Sequence, residues 1–205
     1  MSKPSLTYFN GRGLAEISRL ILAEANVDYD DVRIQDIAPL KPNLPFGQVP
    51  IWKDGNGFEL AQSSAIARYL ARTYGFYGKN PKEDALIDSI LAGFDDLLSK
   101  IRPVIRMPDG NEKTVELEKL NKEIIPLWLS FIEKLIKAHG SNGHAVGDSL
   151  TLADIAIFHY ISNYASHKVI QLDASAFPAI NAVVAAVGKR ERIAAWVQKR
   201  PVTEF

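Results

Sequence analysis

The spacing of hydrophobic and polar positions changes once along the chain, near residue 75. Before that point, short apolar runs alternate with segments of helical periodicity, which predicts mixed α/β structure. Residues 5–9 and 29–34 are typical of strands, and residues 14–25 carry apolar side chains at helical spacing. A strand, a helix and a second strand in this order predict a right-handed parallel crossover.

A β-hairpin and a helix are predicted to follow. The stretch IQDIAPLKPNLPF contains three prolines, so it is interpreted as a loop. VPIW and FEL flank the turn sequence DGNG, which is a hairpin signal. QSSAIARYLARTYG then combines a serine start, helical spacing and a glycine stop. The hairpin completes a predicted four-stranded mixed sheet.

The rest of the chain is predicted to be helical. GFYGKNPKED holds two glycines and a proline between periodic segments and is interpreted as a linker. We therefore expect a first domain over 1–76, a linker over 77–82 and an all-helical domain over 83–205.

Five helices are predicted in that second domain. The first spans 83–101 and is punctuated afterwards by Pro103, Pro108 and Gly110. A long helix, bent at a proline, presents one apolar face made of Leu117, Leu120, Ile124, Trp128, Phe131 and Leu135. Three more helices are expected over 151–165, 178–187 and 191–199.

Composition narrows the possible functions. The 205 residues are 47% hydrophobic, and 24 basic residues balance 24 acidic ones. Without a basic patch, nucleic acid and anionic membranes are not expected partners. The chain has no cysteine, so it offers neither a disulfide nor a thiol nucleophile of its own. The N-terminus lacks the apolar segment of a signal peptide, so a cytoplasmic location is expected.

Gln62 and Ser63 stand at the predicted start of a helix. Backbone N–H groups there are unpaired and carry partial positive charge, so such a site suits a carboxylate. The Gln62 amide and the Ser63 hydroxyl could add hydrogen bonds. The alternative is ordinary capping of the helix by Ser63 or Ser64.

The motif GQVPIW and the nearby Lys41 also carry functional hypotheses. A cis bond before Pro50 is possible because only X–Pro bonds reach cis at low cost. It would let the Val49 backbone pair with an extended peptide. The alternative is a trans proline at a strand start. Lys41 could hold an acid group as a point charge, or it could be a solvated loop residue.

Other polar clusters give weaker signals. Asp95 and Asp96 are adjacent in a predicted helix, where side chains point about 100° apart, so they form a poor clamp for one ion. One is expected to be exposed, and the other could face a ligand. The histidines lack metal-binding spacing, so no metal site is expected. Thr151 and Asp154 form a capping box before an apolar helix, with Leu150 and Ile155 as its hydrophobic staple.

In this order and spacing, four motifs resemble those of the cytosolic glutathione transferases. They are YFNGRGLAE, LPFGQVPIW, ELAQSSAIARYLARTYG and GDSLTLADIAIF, and together they extend over essentially the whole chain. The resemblance is strongest to the sigma class. It implies a thioredoxin-like N-terminal domain with a C-terminal helical bundle domain, and a transferase that uses glutathione as co-substrate without a cofactor or metal.

The resemblance also assigns roles to residues. Tyr8 is implied as the catalytic donor to the glutathione sulfur. Glutathione itself is expected to contact Tyr8, Lys41, Gln48, Val49, Gln62, Ser63 and, from the partner subunit of a homodimer, Asp95. Asp96 is the second choice for that last contact.

A second-substrate pocket for a small hydrophobic electrophile is expected beside the thiol. Its candidate residues are Phe9, Leu14, Leu98 and Ile101. Core packing is the alternative for Phe9, Leu98 and Ile101.

Three positions depart from the sigma-class pattern. Leu14 stands where these proteins usually carry an arginine, and Arg12 either substitutes for it in part or braces the turn. Ile37 is nearest to an expected loop tryptophan. Pro103 occupies the approximate position of a pocket tryptophan in the prostaglandin D synthases of the class. Conjugation of glutathione is the predicted activity, while a non-catalytic binding or structural protein and a glutathione-dependent isomerase stay as alternatives.

Overall fold

The computed structural model describes residues 2–165 and 173–203, and these form two compact units. Residues 1–76 and 190–205 make up the first unit, and residues 77–189 make up the second. The domain boundaries expected from the sequence stay a prediction. The predicted domains and the two compact units differ in where they place the last helix. The prediction puts it in the second domain, whereas its residues group with the first unit.

The first unit contains the sheet. Strands β1 (Ser5–Phe9), β2 (Asp30–Ile34), β3 (Ile51–Lys53) and β4 (Glu59–Ala61) lie in the order β2-β1-β3-β4. The β1–β2 pair is parallel, and the β1–β3 and β3–β4 pairs are antiparallel. The predicted mixed sheet of four strands, with its parallel crossover and hairpin, is confirmed.

Three helices belong to the first unit: α1 (Glu16–Glu24), α2 (Ser63–Thr73) and the last helix of the chain, Glu191–Lys199. Short 3₁₀ turns cover Gly13–Ala15 and Lys41–Asn43. Apolar side chains from the sheet, α1 and α2 are almost completely buried, including Leu6, Leu20, Ile21, Ile51, Trp52, Ile66 and Leu70. Their burial forms the hydrophobic core of the first unit.

The second unit consists of helices and their connections. Its helices are α3 (Pro81–Arg106), α4 (Asn111–Lys119), α5 (Ile125–His139), α6 (Leu152–Ala165) and α7 (Pro178–Gly188), so the last helix is α8. The Asn80 side chain caps α3 by accepting hydrogen bonds from Lys82 N and Glu83 N, both at 3.1 Å. This cap starts α3 inside the segment interpreted as a linker.

Pro103 lies inside α3 rather than ending it. The helix continues to Arg106, so the expectation that Pro103 punctuates the first helix is wrong. A proline removes the hydrogen bond to the residue four positions earlier, but it does not stop the residues that follow from keeping helical dihedrals. The helix ends at Arg106, and Met107 after it has extended backbone, which is the conformation favoured by a residue that precedes a proline.

A π-helical turn at Leu120–Ile124 joins α4 to α5, so the predicted long helix is not a regular α-helix throughout; its bend stays a prediction. Pro126, the second residue of α5, has no N–H, so one hydrogen bond of the regular α-helical ladder is missing there. The π turn adds one residue to the turn, so the buried face after it is Ile125, Leu129, Ile132 and Ile136. Of the predicted face, Leu120 is buried and Trp128 packs on Phe94 with the ring centres 4.4 Å apart. Ile124 and Leu135 are only half-buried and Phe131 is 49% exposed, so the prediction is wrong for Phe131.

Two buried carboxylates bind helix starts in the second unit. Asp154 accepts from Thr151 N at 2.7 Å and from Ala145 N at 2.6 Å, which confirms its predicted return to Thr151. Glu133 on α5 accepts from the N–H groups of Ala179 and Ile180 at 3.1 and 3.0 Å, where α7 has no side-chain cap of its own. Each carboxylate therefore satisfies backbone groups that would otherwise lack partners.

Candidate active site

Tyr8 lies in β1 with its hydroxyl beside the turn that follows the strand. The Leu14 N–H donates a hydrogen bond to the Tyr8 hydroxyl oxygen at 3.2 Å. Gly13 has φ +37°, and a Cβ at that position would lie 2.7 Å from the same oxygen. Glycine at 13 therefore leaves the space that the hydroxyl occupies. Since the oxygen is an acceptor in the Leu14 contact, its proton is available for donation to a ligand.

Arg19 holds this turn in place from α1. Its side chain is fully buried, and Nη1 donates to the Gly11 carbonyl at 2.6 Å. Nε forms an ion pair with Asp31 at 2.9 Å. The guanidinium carbon lies 5.9 Å from the centre of the Tyr8 ring. One buried cation thus connects α1, β2, the turn and the tyrosine that the turn surrounds.

The start of α2 is open to a ligand. Gln62 occupies the position before the helix with φ +73°, and no side chain caps the helix there. The alternative of ordinary capping by Ser63 or Ser64 is therefore not what the structure shows. A non-glycine residue at positive φ costs about 1–3 kcal/mol and persists where its surroundings impose it, often at binding sites. The uncapped N–H groups and the helix dipole favour an anion at this point.

The peptide bond between Val49 and Pro50 is cis, so of the two alternatives that the sequence left open the trans proline is excluded. Both residues are buried at the start of β3. Within the described residues, the N–H and C=O groups of Val49 take part in no backbone hydrogen bond. They are therefore free to pair with an extended peptide laid along this edge.

These elements meet around one small pocket of about 40 Å³ in the first unit. Its lining residues are Leu14, Phe46, Gln48, Val49, Pro50, Ala61, Gln62 and Ser63. The pocket is lined by residues from the turn after β1, from the loop before β3 and from the start of α2. The pocket combines a helix N-terminus with free backbone groups, which together suit a small peptide carrying a carboxylate.

Lys41 lies near this pocket through its contact with Gly47. A Cβ at Gly47 would lie 3.2 Å from Lys41 Cγ and 3.4 Å from Lys41 Cε. The Lys41 side chain therefore lies over Gly47, which immediately precedes Gln48. Both Lys41 and Gln48 are exposed, as binding to a soluble ligand requires.

The other predicted site residues fall into two groups. Phe9 and Leu14 are each 38% exposed in the first unit, so they can contact a ligand. Leu98 and Ile101 are 3% and 0% exposed in the second unit, which favours the core role that the sequence left open. Their role in a second-substrate pocket stays a prediction.

Asp95 and Asp96 are both exposed on α3. Exposure in the single chain leaves either carboxylate able to face a ligand. Which of them contacts a partner's ligand stays a prediction. Arg12 donates to the Thr203 carbonyl at 3.2 Å, in agreement with its bracing role.

The sequence alone did not identify Phe46, Ala61, Gly13 or Gly47. Phe46 lines the pocket and is 64% exposed, and the signal for it is an aromatic residue inside a polar, proline-rich loop. Gly13 and Gly47 have positive φ and lie against Tyr8 and Lys41. Each glycine indicates a turn in the sequence, but neither indicates which side chain lies over that turn.

The described part of the chain offers neither a metal site nor a membrane-spanning helix. No group of three or more histidine and acidic side chains is placed to hold a metal ion within residues 2–165 and 173–203. Across the same ranges, no helix has the length and apolar character needed to cross a membrane.

Comparison with known proteins identifies the family. Residues 4–72 match the family described as "Glutathione S-transferase, N-terminal domain", and residues 95–200 match "Glutathione S-transferase, C-terminal domain". "Glutathione S-transferase S1" of Drosophila melanogaster is 39% identical over 202 residues, which cover 98% of this chain and 80% of the relative.

Two solved structures show the same fold over nearly the whole chain. Monomeric Na-GST-3, a glutathione S-transferase of Necator americanus, is 37% identical with a TM-score of 0.87 and complete coverage of both chains. Prostaglandin synthase D of Nilaparvata lugens is 31% identical with a TM-score of 0.85, covering 98% of this chain and 100% of the other.

The chain belongs to the glutathione S-transferase family. Its thioredoxin-like sheet domain and helical domain confirm the predicted fold class. The prediction of a transferase that takes glutathione as co-substrate is confirmed at the level of the family.

Proposed function

We propose that this protein transfers the glutathione thiolate to hydrophobic electrophiles, with Tyr8 as the donor that stabilises the thiolate. The observation that carries the proposal is the Tyr8 hydroxyl, which accepts from Leu14 N at 3.2 Å and keeps its own proton for a ligand. A free thiol has a pKa of about 8.5, so little of it is thiolate at neutral pH. A hydrogen bond to sulfur favours the charged form and lowers that pKa.

The thiolate then reacts as a nucleophile. With a chlorinated nitroaromatic, the sulfur forms a bond to the ring carbon and the carbon–chlorine bond breaks with release of chloride. The protein contributes the orientation of the two reactants and one donor already in place. Phe9 and Leu14 supply apolar surface beside the thiol for the second substrate.

The remaining pocket residues are proposed to bind the rest of glutathione. The γ-glutamyl carboxylate accepts from the open start of α2 at Gln62 and Ser63. The cysteinyl backbone pairs with Val49, and Gln48 and Lys41 contact the glycyl end. The uncapped α2 terminus and the free Val49 backbone support this arrangement.

The site has Leu14 at a position where a cation is expected. The sigma-class resemblance, which we propose as the class of this chain, leads us to expect an arginine there. Without that cation, the thiolate depends more on Tyr8, whose ring has the Arg19 guanidinium carbon 5.9 Å from its centre. Arg12 donates to the Thr203 carbonyl and is not among the residues that line the pocket.

We further propose that the enzyme is a homodimer. Phe46 is 64% exposed at the rim of the glutathione pocket, a position where a second copy would cover apolar surface. In a dimer, exposed Asp95 can meet the ammonium of glutathione bound to the partner. The structural relative from Necator americanus is described as monomeric, so a monomer is the competing state.

Sedimentation and glutathione kinetics test the dimer together. A dimer predicts that Phe46→Ser lowers the sedimenting mass by half and that Asp95→Asn raises the KM for glutathione. A wild-type monomer, or an unchanged KM in Asp95→Asn, contradicts the shared site. Asp96→Asn is the matched control.

A cytoplasmic location stays a prediction that imaging of the tagged chain can test.

Isomerisation of a prostaglandin endoperoxide is the second candidate activity. The likeness to prostaglandin synthase D of Nilaparvata lugens favours it, since both activities use the same thiolate. Pro103 argues against it, because it occupies the approximate position of a pocket tryptophan in that group. Product analysis with a prostaglandin endoperoxide distinguishes the two.

The conjugation assay tests the main proposal. Purified protein is mixed with glutathione and a chlorinated nitroaromatic, and turnover is compared for wild type, Tyr8→Phe and the control Tyr69→Phe. We expect turnover to fall about 100-fold in Tyr8→Phe alone, the usual loss for one transition-state donor, with little change in glutathione affinity. Glutathione binding without turnover across many electrophiles would support a non-catalytic binding protein instead.

A further inference from the structure

Three asparagines in the chain are followed directly by glycine: Asn10, Asn56 and Asn142. At such a step the backbone nitrogen of the glycine can attack the side-chain amide carbon of the asparagine, because glycine has no side chain to hinder the approach. The products are aspartate and isoaspartate, so each step is a candidate site of spontaneous covalent modification. The three steps differ in conformation, in nearby charge and in position.

Asn142 and its glycine are held in a closed turn. The His144 N–H donates to the Ser141 carbonyl at 2.9 Å across the turn. A Cβ on Gly143 would lie 3.5 Å from Ala186 Cβ, so the glycine also packs against α7. These contacts restrict the rotation that brings the glycine nitrogen onto the amide carbon, so modification at Asn142 is expected to be slow.

Asn10 is exposed just after β1, and its side chain contacts a cation. Arg33 Nη1 donates to Asn10 Oδ1 at 3.2 Å. Asp31 holds that guanidinium in place through contacts of 2.9 Å to Nε and 2.8 Å to Nη2. Negative charge develops on Oδ1 when the Gly11 nitrogen attacks, so a donor already in place there stabilises the transition state. By contrast, the Asn56 side chain forms no hydrogen bond in the part of the chain that the structure describes.

One backbone hydrogen bond has to open before the attack at Asn10. The Gly11 N–H donates to the Phe9 carbonyl at 2.8 Å, which closes a three-residue turn. Backbone hydrogen bonds at exposed positions open locally at low free-energy cost. The Gly11 nitrogen then bonds to the Asn10 amide carbon and ammonia leaves, which gives a cyclic imide. Water opens the ring at either carbonyl, so the product is aspartate or isoaspartate at position 10.

The two products have different effects on the turn that surrounds Tyr8. Isoaspartate carries the backbone through its side-chain carbon, which adds one methylene between Tyr8 and Leu14. The addition displaces the Gly11 carbonyl, which accepts from the buried Arg19 at 2.6 Å. It also displaces the Leu14 N–H, which contacts the Tyr8 hydroxyl at 3.2 Å. Aspartate keeps the backbone unchanged and places a carboxylate against the Arg33 guanidinium, so the turn keeps its position.

We propose that Asn10 is a modification site at which conversion to isoaspartate inactivates the enzyme as the protein ages. The effect on turnover rests on the proposed role of Tyr8, whereas the modification itself does not. Asn56 provides an internal comparison, because it lies in the turn between β3 and β4. In that turn the Gly55 carbonyl accepts from Ser2 N at 3.2 Å, so Asn56 lies at the opposite end of β1 from Asn10.

Ageing of the purified protein tests the site. Wild type, Asn10→Gln and the control Asn56→Gln are incubated at physiological temperature in mildly alkaline buffer, which favours loss of the proton from the attacking nitrogen. Peptide mass spectrometry with electron-transfer fragmentation measures aspartate and isoaspartate at each step, since the moved backbone bond changes the fragment masses. We expect wild type to be modified about tenfold faster at position 10 than at position 56, because one donor stabilises the developing charge at position 10.

Turnover and thermal stability are followed in the same samples. Turnover of wild type with glutathione and a chlorinated nitroaromatic should fall in step with the isoaspartate fraction at position 10. The melting temperature of the modified protein should be lower by about 4 °C or more, because a charged hydrogen bond is lost. Asn10→Gln should keep its turnover over the same period, Asn56→Gln should lose turnover as wild type does, and fresh Asn10→Asp should match fresh wild type.

The readouts separate this proposal from the proposed function. If fresh wild type conjugates no electrophile, the proposed function fails, and the masses and the melting temperature still decide whether the site exists and disrupts the turn. Two results overturn the proposal. One is an intact position 10 while position 56 is converted, and the other is isoaspartate at position 10 with turnover and melting temperature unchanged.

Discussion

The substitution Gly13→Ala tests how strictly the turn positions Tyr8. The new Cβ would lie 2.7 Å from the Tyr8 hydroxyl oxygen and 3.0 Å from its Cε1. Comfortable contact between nonbonded carbon atoms needs about 3.5 Å or more. Either the tyrosine or the turn must therefore move, and each movement separates the hydroxyl from its Leu14 N–H partner.

The size of the effect follows from these distances. Relieving the contact requires a shift of roughly 0.5–1 Å in the hydroxyl position. A displacement of about 1 Å in a reacting group can lower the rate about 100-fold. Alanine at φ +37° adds a backbone cost of about 1–2 kcal/mol. We expect turnover to fall about 100-fold and the melting temperature to fall by about 2–8 °C.

Gly75→Ala is the matched control for this experiment. Gly75 has φ +79°, but no atom lies within 4 Å of the position that its Cβ would take. It should lose stability to a similar degree and keep its turnover. Steady-state conjugation kinetics and thermal unfolding are measured for wild type and both variants. If Gly13→Ala and Gly75→Ala lose the same small amount of activity, the position of the Tyr8 hydroxyl does not control the reaction.

Three further predictions concern stability. Glu133→Ala should cost about 2–3 kcal/mol, since it leaves the start of α7 without its acceptor. Burial raises the pKa of Glu133, but Lys137 and two α7 N–H groups outweigh burial and hold that pKa below its usual value. The stabilisation is therefore complete above the unfolded-state pKa and is lost as pH falls through the folded-state pKa, so urea unfolding of wild type and variant should converge in acid. Asp154→Ala should cost about 3–4 kcal/mol by urea unfolding, because two buried N–H groups lose their partner; a loss no larger than that of an exposed substitution contradicts this. Lys79→Ala removes only an exposed ion pair with Asp148 and should leave the melting temperature unchanged.

Much of the fold follows from local sequence signals. The strands, the crossover and the hairpin depend on period-two runs and on turn residues that act over a few positions. The complete buried face of α5 was not predictable in this way, because the π turn before Pro126 shifts the helical register by one residue. Proline signals a break, but the local conformation that accommodates it depends on how the helix packs on both sides.

The candidate site was predictable as a set of residues but not as a geometry. Gln62, Ser63 and Val49 could be selected from the chemistry of helix starts and of X–Pro bonds. The contact of Gly13 with the Tyr8 hydroxyl could not, since it depends on how the turn folds back over the strand. The cation of Arg19 beneath the Tyr8 ring joins residues from two elements, and a periodic pattern contains no information about such a contact.

The pKa of the thiol in bound glutathione tests the role of Tyr8 most directly. Thiolate absorbance in the ultraviolet is followed against pH for glutathione bound to wild type and to Tyr8→Phe, with protein lacking ligand as the blank. If Tyr8 donates to the sulfur, the bound thiol in wild type has a pKa well below about 8.5. Tyr8→Phe then raises it by about one to two units, the equivalent of one charge-assisted hydrogen bond. The same thiol pKa in both proteins would contradict the assignment of Tyr8 as the thiolate donor.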